Sequence, residues 1–245
     1  MKLDVLAIGA HPDDVELGCG ATLALLARQG RKVGILHLTS GERGTRGTVE
    51  ERRSEAESAA RVLGAVELGF LDCGDGSLRT GEAEEDALIA KIREWRPEAL
   101  LGPTPGDRHP DHARAHQLVQ AACFYAGLRN RCPPTNAETG EPFRPGAVFS
   151  YMQHDPFEPS FIVDVGEVWE KKVEALRCYH SQLYQPGAKP GGPQTKVASP
   201  EFWQAVEGRA RHFGLMINVA FGEPFWSRLP LAVGDLTAIV PGGLR

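Results

Sequence analysis

The sequence predicts an α/β domain built on a three-layer, Rossmann-like, mostly parallel sheet. Three observations predict it. Short apolar runs alternate with longer amphipathic segments through the first half of the chain. Turn residues separate them. Two His/Asp clusters directly follow two of the apolar runs, at the carboxyl edge where open α/β sheets bind ligands.

Taken in order, residues 3–10 read as a buried first strand and residues 19–29 as an Ala/Leu-rich helix, with Gly30 as its C-cap. Val33-Gly34-Ile35-Leu36-His37-Leu38-Thr39 is a second strand, completing a βαβ unit with the usual right-handed crossover. A polar loop over 40–48 leads into a charged helix over 49–63, a third strand over 65–71 and a helix over 83–94. In that helix Leu88, Ile89 and Ile92 share one face. Ala99-Leu100-Leu101-Gly102 is a fourth strand, and 111–126 a helix. The second half is less regular. Residues 130–146 read as an insertion or lid, 147–152 and 161–165 as strands, 167–181 as a helix, the Pro/Gly-rich 185–200 as a long loop, and 200–213 as a helix. The expectation is a single domain over 1–245.

Composition narrows the function classes. A net charge of −5 and a pI near 5.9 argue against a nucleic-acid binder. No run reaches membrane-spanning length. Asp4 interrupts the opening apolar run and no cleavage pattern follows it, so it reads as a strand rather than a leader, and the expected location is cytoplasmic. Five cysteines with no C-x-x-C pair imply neither a disulfide framework nor a sulfur-rich metal site.

The chemistry concentrates in Ala10-His11-Pro12-Asp13-Asp14-Val15-Glu16 and Arg108-His109-Pro110-Asp111-His112. Either triplet alone is ordinary turn chemistry, since Asp caps helices and Pro stiffens loops. Two on the same sheet edge are another matter, because they can meet in one crevice. Imidazole and carboxylate suit zinc, and a catalytic zinc takes three protein ligands and keeps one position open. His and Asp from the first cluster plus one His from the second supply that set. The remaining Asp and His supply a base and an oxyanion donor. A competing dinucleotide reading of Gly18-x-Gly20 is weak, because position 23 is Leu and the glycines follow an acidic segment, and it stands as a third rival.

The paired AHPDD and HPDH motifs resemble the metal-dependent de-N-acetylases typified by N-acetylglucosaminyl-phosphatidylinositol deacetylase and the LmbE-like proteins. The run from Leu3 to Gly18, Phe161-Ile162-Val163-Asp164-Val165, His180-Ser181-Gln182 and the 202–214 helix look most like the bacillithiol-biosynthesis branch, which deacetylates N-acetylglucosaminyl malate. Val15 stands where many members carry Glu, a feature that branch shares. The resemblance implies a Zn2+ cofactor held by His11, Asp14 and His112. It implies Asp13 as general base and a protonated His109 as electrophile, oriented by Asp111. It also implies a small amino-sugar substrate and a homo-oligomer. Arg46 and Arg53 are the expected malate contacts, because arginine forks fit carboxylates. His116, one turn on from His112, could substitute as a ligand but reads rather as a residue that packs beside the site, and His154 is a candidate substrate contact. A chitooligosaccharide or antibiotic-linked glucosamine substrate, or a sugar- or metal-binding module without catalysis, are the alternatives.

Overall fold

A computed structural model describes residues 2–131, 141–185 and 193–235. Seven strands form one sheet: β1 (Val5–Gly9), β2 (Val33–His37), β3 (Glu67–Phe70), β4 (Ala99–Gly102), β5 (Ala147–Tyr151), β6 (Phe161–Asp164) and β7 (Gly222–Ser227). Their order is β3-β2-β1-β4-β5-β7-β6, and only β7 runs antiparallel to its neighbours. The direction of strand addition reverses between β1 and β4, and that reversal opens the ligand crevice.

β1 is apolar on both faces because both are covered. Leu6 and Ile8 enter a core with α3 (Glu82–Trp95) and α4 (Pro110–Ala126). Ala7 points the other way, into a core shared with α1 (Asp14–Arg28), α2 (Val49–Leu63), α5 (Trp169–Arg177) and α6 (Pro200–Met216). A Thr48/Glu51 capping box starts α2, and Gly64 ends it in the left-handed conformation. No described helix is long and apolar enough to cross a membrane.

The structure departs from the sequence reading in three places. α1 begins at Asp14, not at residue 19, and is broken at Cys19, whose φ of −142° is not helical. Gly18 permits the break to pack closely, since a Cβ there would lie 2.1 Å from the Tyr151 ring. The helix expected over 167–181 is shorter, a 3-10 turn over Gly166–Val168 followed by α5. Strand β7 was not expected, because Glu223 and Pro224 interrupt its apolar pattern. Pro224 is tolerated opposite Ile162, beyond the part of β7 that pairs with β5. The expected lid over 130–146 and loop over 185–200 lie partly outside the described residues, as does Cys132.

Candidate active site

Both clusters sit where a strand hands over to a helix. After β1 the chain turns through His11-Pro12-Asp13, and Asp13 occupies the N-cap of α1 with φ of 97°. A left-handed aspartate is tolerated but strained, and such strain collects at functional sites. After β4 the chain reaches His109, the N-cap of α4, whose Nδ1 accepts the Asp111 N–H at 3.2 Å, with Pro110 preset at N1. Both helix N-termini therefore face the crevice with their positive dipole ends.

The rings of His11, His109 and His112 converge. One nitrogen from each lies within 4.8 Å of the others. Asp14 joins them, with Oδ1 at 3.3 Å from His112 Nε2 and Oδ2 at 3.4 Å from His11 Nδ1. The Asp14 carboxylate is held by the His11 backbone N–H and by Gln153 Nε2, at 2.8 and 2.6 Å. Each of the two imidazoles beside it has its own carboxylate support. His11 Nε2 faces Asp75 at 3.2 Å and Asp111 at 3.3 Å, and His112 Nδ1 faces Asp107 at 3.1 Å. His37, buried at the end of β2, donates from Nδ1 to the His11 carbonyl at 3.1 Å.

The charge balance shows what the site attracts. Asp13, Asp14, Asp75, Asp107 and Asp111 surround these imidazoles, and Asp13, Asp14, Asp75 and Asp111 are themselves buried. Burial disfavours charge on His112, yet Asp14 and Asp107 carry it up to about 9. Burial likewise opposes a charged His11, but Asp111, Asp14 and Asp75 raise it well above its ordinary value. A pocket that pulls protons onto imidazoles this firmly is one a divalent cation can occupy in their place. The nitrogen and carboxylate donors, with second-sphere carboxylates behind the rings, fit zinc.

The carboxylates divide sharply. Burial raises Asp13 to about 7; Arg52 opposes the shift and Asp14 adds to it. Asp111 is buried too, but the His11 ring and the N–H groups of Leu78 and Gly76 hold it well below the usual carboxylate range.

Two sequence expectations need correction. The Asp111 carboxylate does not orient His109. Its bonds go to Gly76, Leu78, His11 and Arg114, and Asp111 offers His109 only its backbone N–H. Because His109 Nδ1 accepts that bond, its ring carries a proton on Nε2 alone. Burial and the neighbouring His11 and His112 also lower its pKa, which favours the neutral ring over the imidazolium. Nor do Arg46 and Arg53 line the crevice. Arg46 is spent on the Ser181 and Pro193 carbonyls, and Arg53 bonds Ser40 Oγ and stacks over Phe70.

The crevice, about 280 Å³, is lined instead by Arg43, Arg52 and Arg108 together with both clusters, and by His154, Leu17 and Val197. Arg52 reaches it by passing under Gly41, whose φ is +68° and where a Cβ would lie 1.7 Å from Arg52 Nη1. There it donates to the Gly41 and Pro12 carbonyls and approaches Asp13 at 3.9 Å. Asp75, Asp107, Gln153 and Arg52 were not found from sequence. Each is a single residue in a loop or on a helix face, marked by no spacing. His116 is turned away onto the Pro103 carbonyl, beside Ser150.

The dinucleotide reading finds a physical answer here. The N–H groups of Ala21 and Thr22, freed by the break at Cys19, are bound by the buried carboxylate of Glu223. An internal anion takes the place a pyrophosphate would need.

Comparison with known proteins agrees with this geometry. The chain belongs to the family described as PIG-L, GlcNAc-PI de-N-acetylase, whose profile matches residues 6–123, from β1 through both clusters to α4. It is 34% identical over 189 residues to a diacetylchitobiose deacetylase of Thermococcus kodakarensis, covering 73% of this chain and 70% of that protein. It is also 30% identical to a 4-oxalmesaconate hydratase of Pseudomonas putida, over 72% of this chain and 73% of the relative. Among solved structures, the conserved protein TT1542 from Thermus thermophilus superposes with a TM-score of 0.84 at 37% identity, covering 96% of this chain and 98% of that one.

Proposed function

We propose that this chain, acting as one domain over 1–245, is a zinc-dependent N-deacetylase of small N-acetylglucosamine conjugates. The observation that carries the reading is the division of labour among its carboxylates. Asp14 joins the imidazoles, whereas Asp13 lies beside them with a pKa raised to about 7 and no metal role to fill. A binding module needs no such base.

His11, Asp14 and His112 would hold the metal. Bound there, zinc would supply Lewis acidity toward the acetamide carbonyl and bring water's pKa down to about 7. The rest is done by side chains. Asp13, ionised near neutral pH, accepts the proton of the attacking water. The neutral His109 donates its Nε2–H to the oxygen that becomes negative, and the helix N-termini add positive potential. Asp13 then passes the proton to the leaving nitrogen, releasing acetate and a free amine.

The conjugate we favour is N-acetylglucosaminyl malate, with Arg43 and Arg108 replacing Arg46 and Arg53 as carboxylate contacts. A chitooligosaccharide is the alternative, favoured by the likeness to the diacetylchitobiose deacetylase. A homo-oligomer accords with the apolar surface at the end of α6, where Leu215 is 73% exposed.

The test is amine release from N-acetylglucosaminyl malate and diacetylchitobiose in parallel, as isolated, after chelation and with zinc restored. Release from either that vanishes on chelation and returns with zinc supports the deacetylase, and the faster substrate identifies the conjugate. No amine from any acetamido sugar, with water added to an unsaturated diacid instead, would move the chain to the hydratase side of its family.

A further inference from the structure

We infer that the buried pair Lys172–Glu223, with Arg209, is a positioning device that aims the short helical turn carrying Asp14 and Leu17 into the crevice. The inference rests on Asp14 acting as a metal ligand, as proposed above.

The turn from Asp14 to Gly18 is separated from the rest of α1 by the non-helical Cys19. In an unbroken helix the Leu17 carbonyl would take the Ala21 N–H, and the ladder would hold both parts in line. Here those groups have other partners. The Leu17 carbonyl accepts from Lys172 Nζ on α5 and from Arg209 Nη2 on α6, each at 2.9 Å. Glu223 on β7 accepts from Ala21 N at 3.2 Å, Thr22 N at 2.7 Å and Thr22 Oγ1 at 2.6 Å. Lys172 and Glu223 are bonded to each other and are each 2% exposed.

The orientation of the first turn is thus set from outside the helix, by three elements that contribute nothing else to the metal cluster. Leu17 lines the crevice and its carbonyl lies in this network, so the two are joined through one residue. A buried ion pair is poor value as a stabiliser, since a well-packed apolar pair often does as well. Directional bonds to two ends of a broken helix are something an apolar pair does not provide.

The test uses Lys172→Met/Glu223→Gln, which removes both buried charges together and keeps side-chain volume. Zinc affinity is measured by calorimetric titration of the chelator-stripped protein, and steady-state constants on whichever substrate the wild type turns over. The expected result is a folded protein whose zinc Kd weakens by about tenfold or more, as for other outer-sphere losses. In the same variant kcat falls while KM stays within about twofold. A lower melting temperature with wild-type zinc Kd and kcat would mean the network only stabilises, and would overturn the inference. Should the double variant not fold, Arg209→Met decides on the same readouts, because it takes one donor from Leu17 and leaves the pair intact. The zinc titration needs no substrate, so failure of the deacetylase reading and failure of this inference remain distinguishable.

Discussion

Asp13 on one wall of the crevice and Asp107 and Asp111 on the other are treated in opposite ways. Asp14, which follows Asp13 but accepts from the His11 N–H and Gln153, is lowered with Asp107 and Asp111. On the β1 wall, Asp13 is buried with Arg52 at 3.9 Å as its nearest cation, and its pKa rises to about 7. On the β4 wall, Asp111 and Asp107 are each met by backbone N–H groups and an imidazole, and both fall well below the ordinary range. Burial pushes all three the same way, so the number of donors decides the outcome. Where environments drive like groups apart, chemical roles divide. The poorly satisfied carboxylate is suited to take a proton, and the well-satisfied ones are suited to hold rings in place.

That contrast can be broken by mutation. The largest effect is expected for Asp13→Asn, where turnover should fall by about 10²–10⁴-fold, the usual worth of a general base. Zinc content, read by atomic absorption, should remain stoichiometric. Near-normal turnover would remove Asp13 from the base role. Asp111→Asn and Asp107→Asn should act through the metal instead, weakening zinc binding by about 10–100-fold. If they lowered kcat with zinc affinity intact, Asp107 and Asp111 would not differ in kind from Asp13.

The pH dependence sharpens the same contrast. Turnover should drop as pH falls through about 7, where Asp13 gains its proton. Stability runs the other way. Its folded pKa lies above its unfolded value, so its contribution is complete below about 4 and is lost as pH rises through about 7. Asp13→Asn should flatten that part of the melting profile. His154, held down to about 4 chiefly by burial, contributes with the opposite sign. It stabilises above about 6.5, and that contribution is lost as pH falls through about 4. The smallest effects belong to Arg46→Ala and Arg53→Ala, which should change KM by less than about twofold, within the range of ordinary surface substitutions. Arg43→Ala should raise KM clearly more, and equal effects at all three would contradict the crevice lining.

Much of this was legible in the sequence, and the failures have physical causes. Alternating apolar runs announced β1 to β4 and the helices between them, because a parallel sheet buries both faces. The His-Pro-Asp triplets announced both clusters because proline and a capping residue mark a strand-to-helix turn. Asp75 and Asp107 were invisible because an isolated loop aspartate becomes a ring support only through contacts far away in the chain. The role given to Asp111 was mistaken for a related reason. Adjacency in sequence suggested a carboxylate serving His109, but the first turn of α4 directs that side chain toward His11. Strand β7 was hidden by Glu223, whose polarity argues against a strand until its buried partners on α1 and α5 are seen.

Glu223 has one more consequence, for the timing of assembly. Chains emerge from the ribosome at about 5–20 residues per second and fold from the amino end as they appear. Both His/Asp clusters and the first four parallel strands, β1 to β4, are made early. The carboxylate that closes the break in α1 arrives 201 residues after the threonine it binds. Until then β5 and β6 lack the strand that joins them, and the turn bearing Asp14 has no anchor on that side. A nascent chain can thus carry His11, Asp14 and His112 well before the residue that anchors the Asp14 turn has been made.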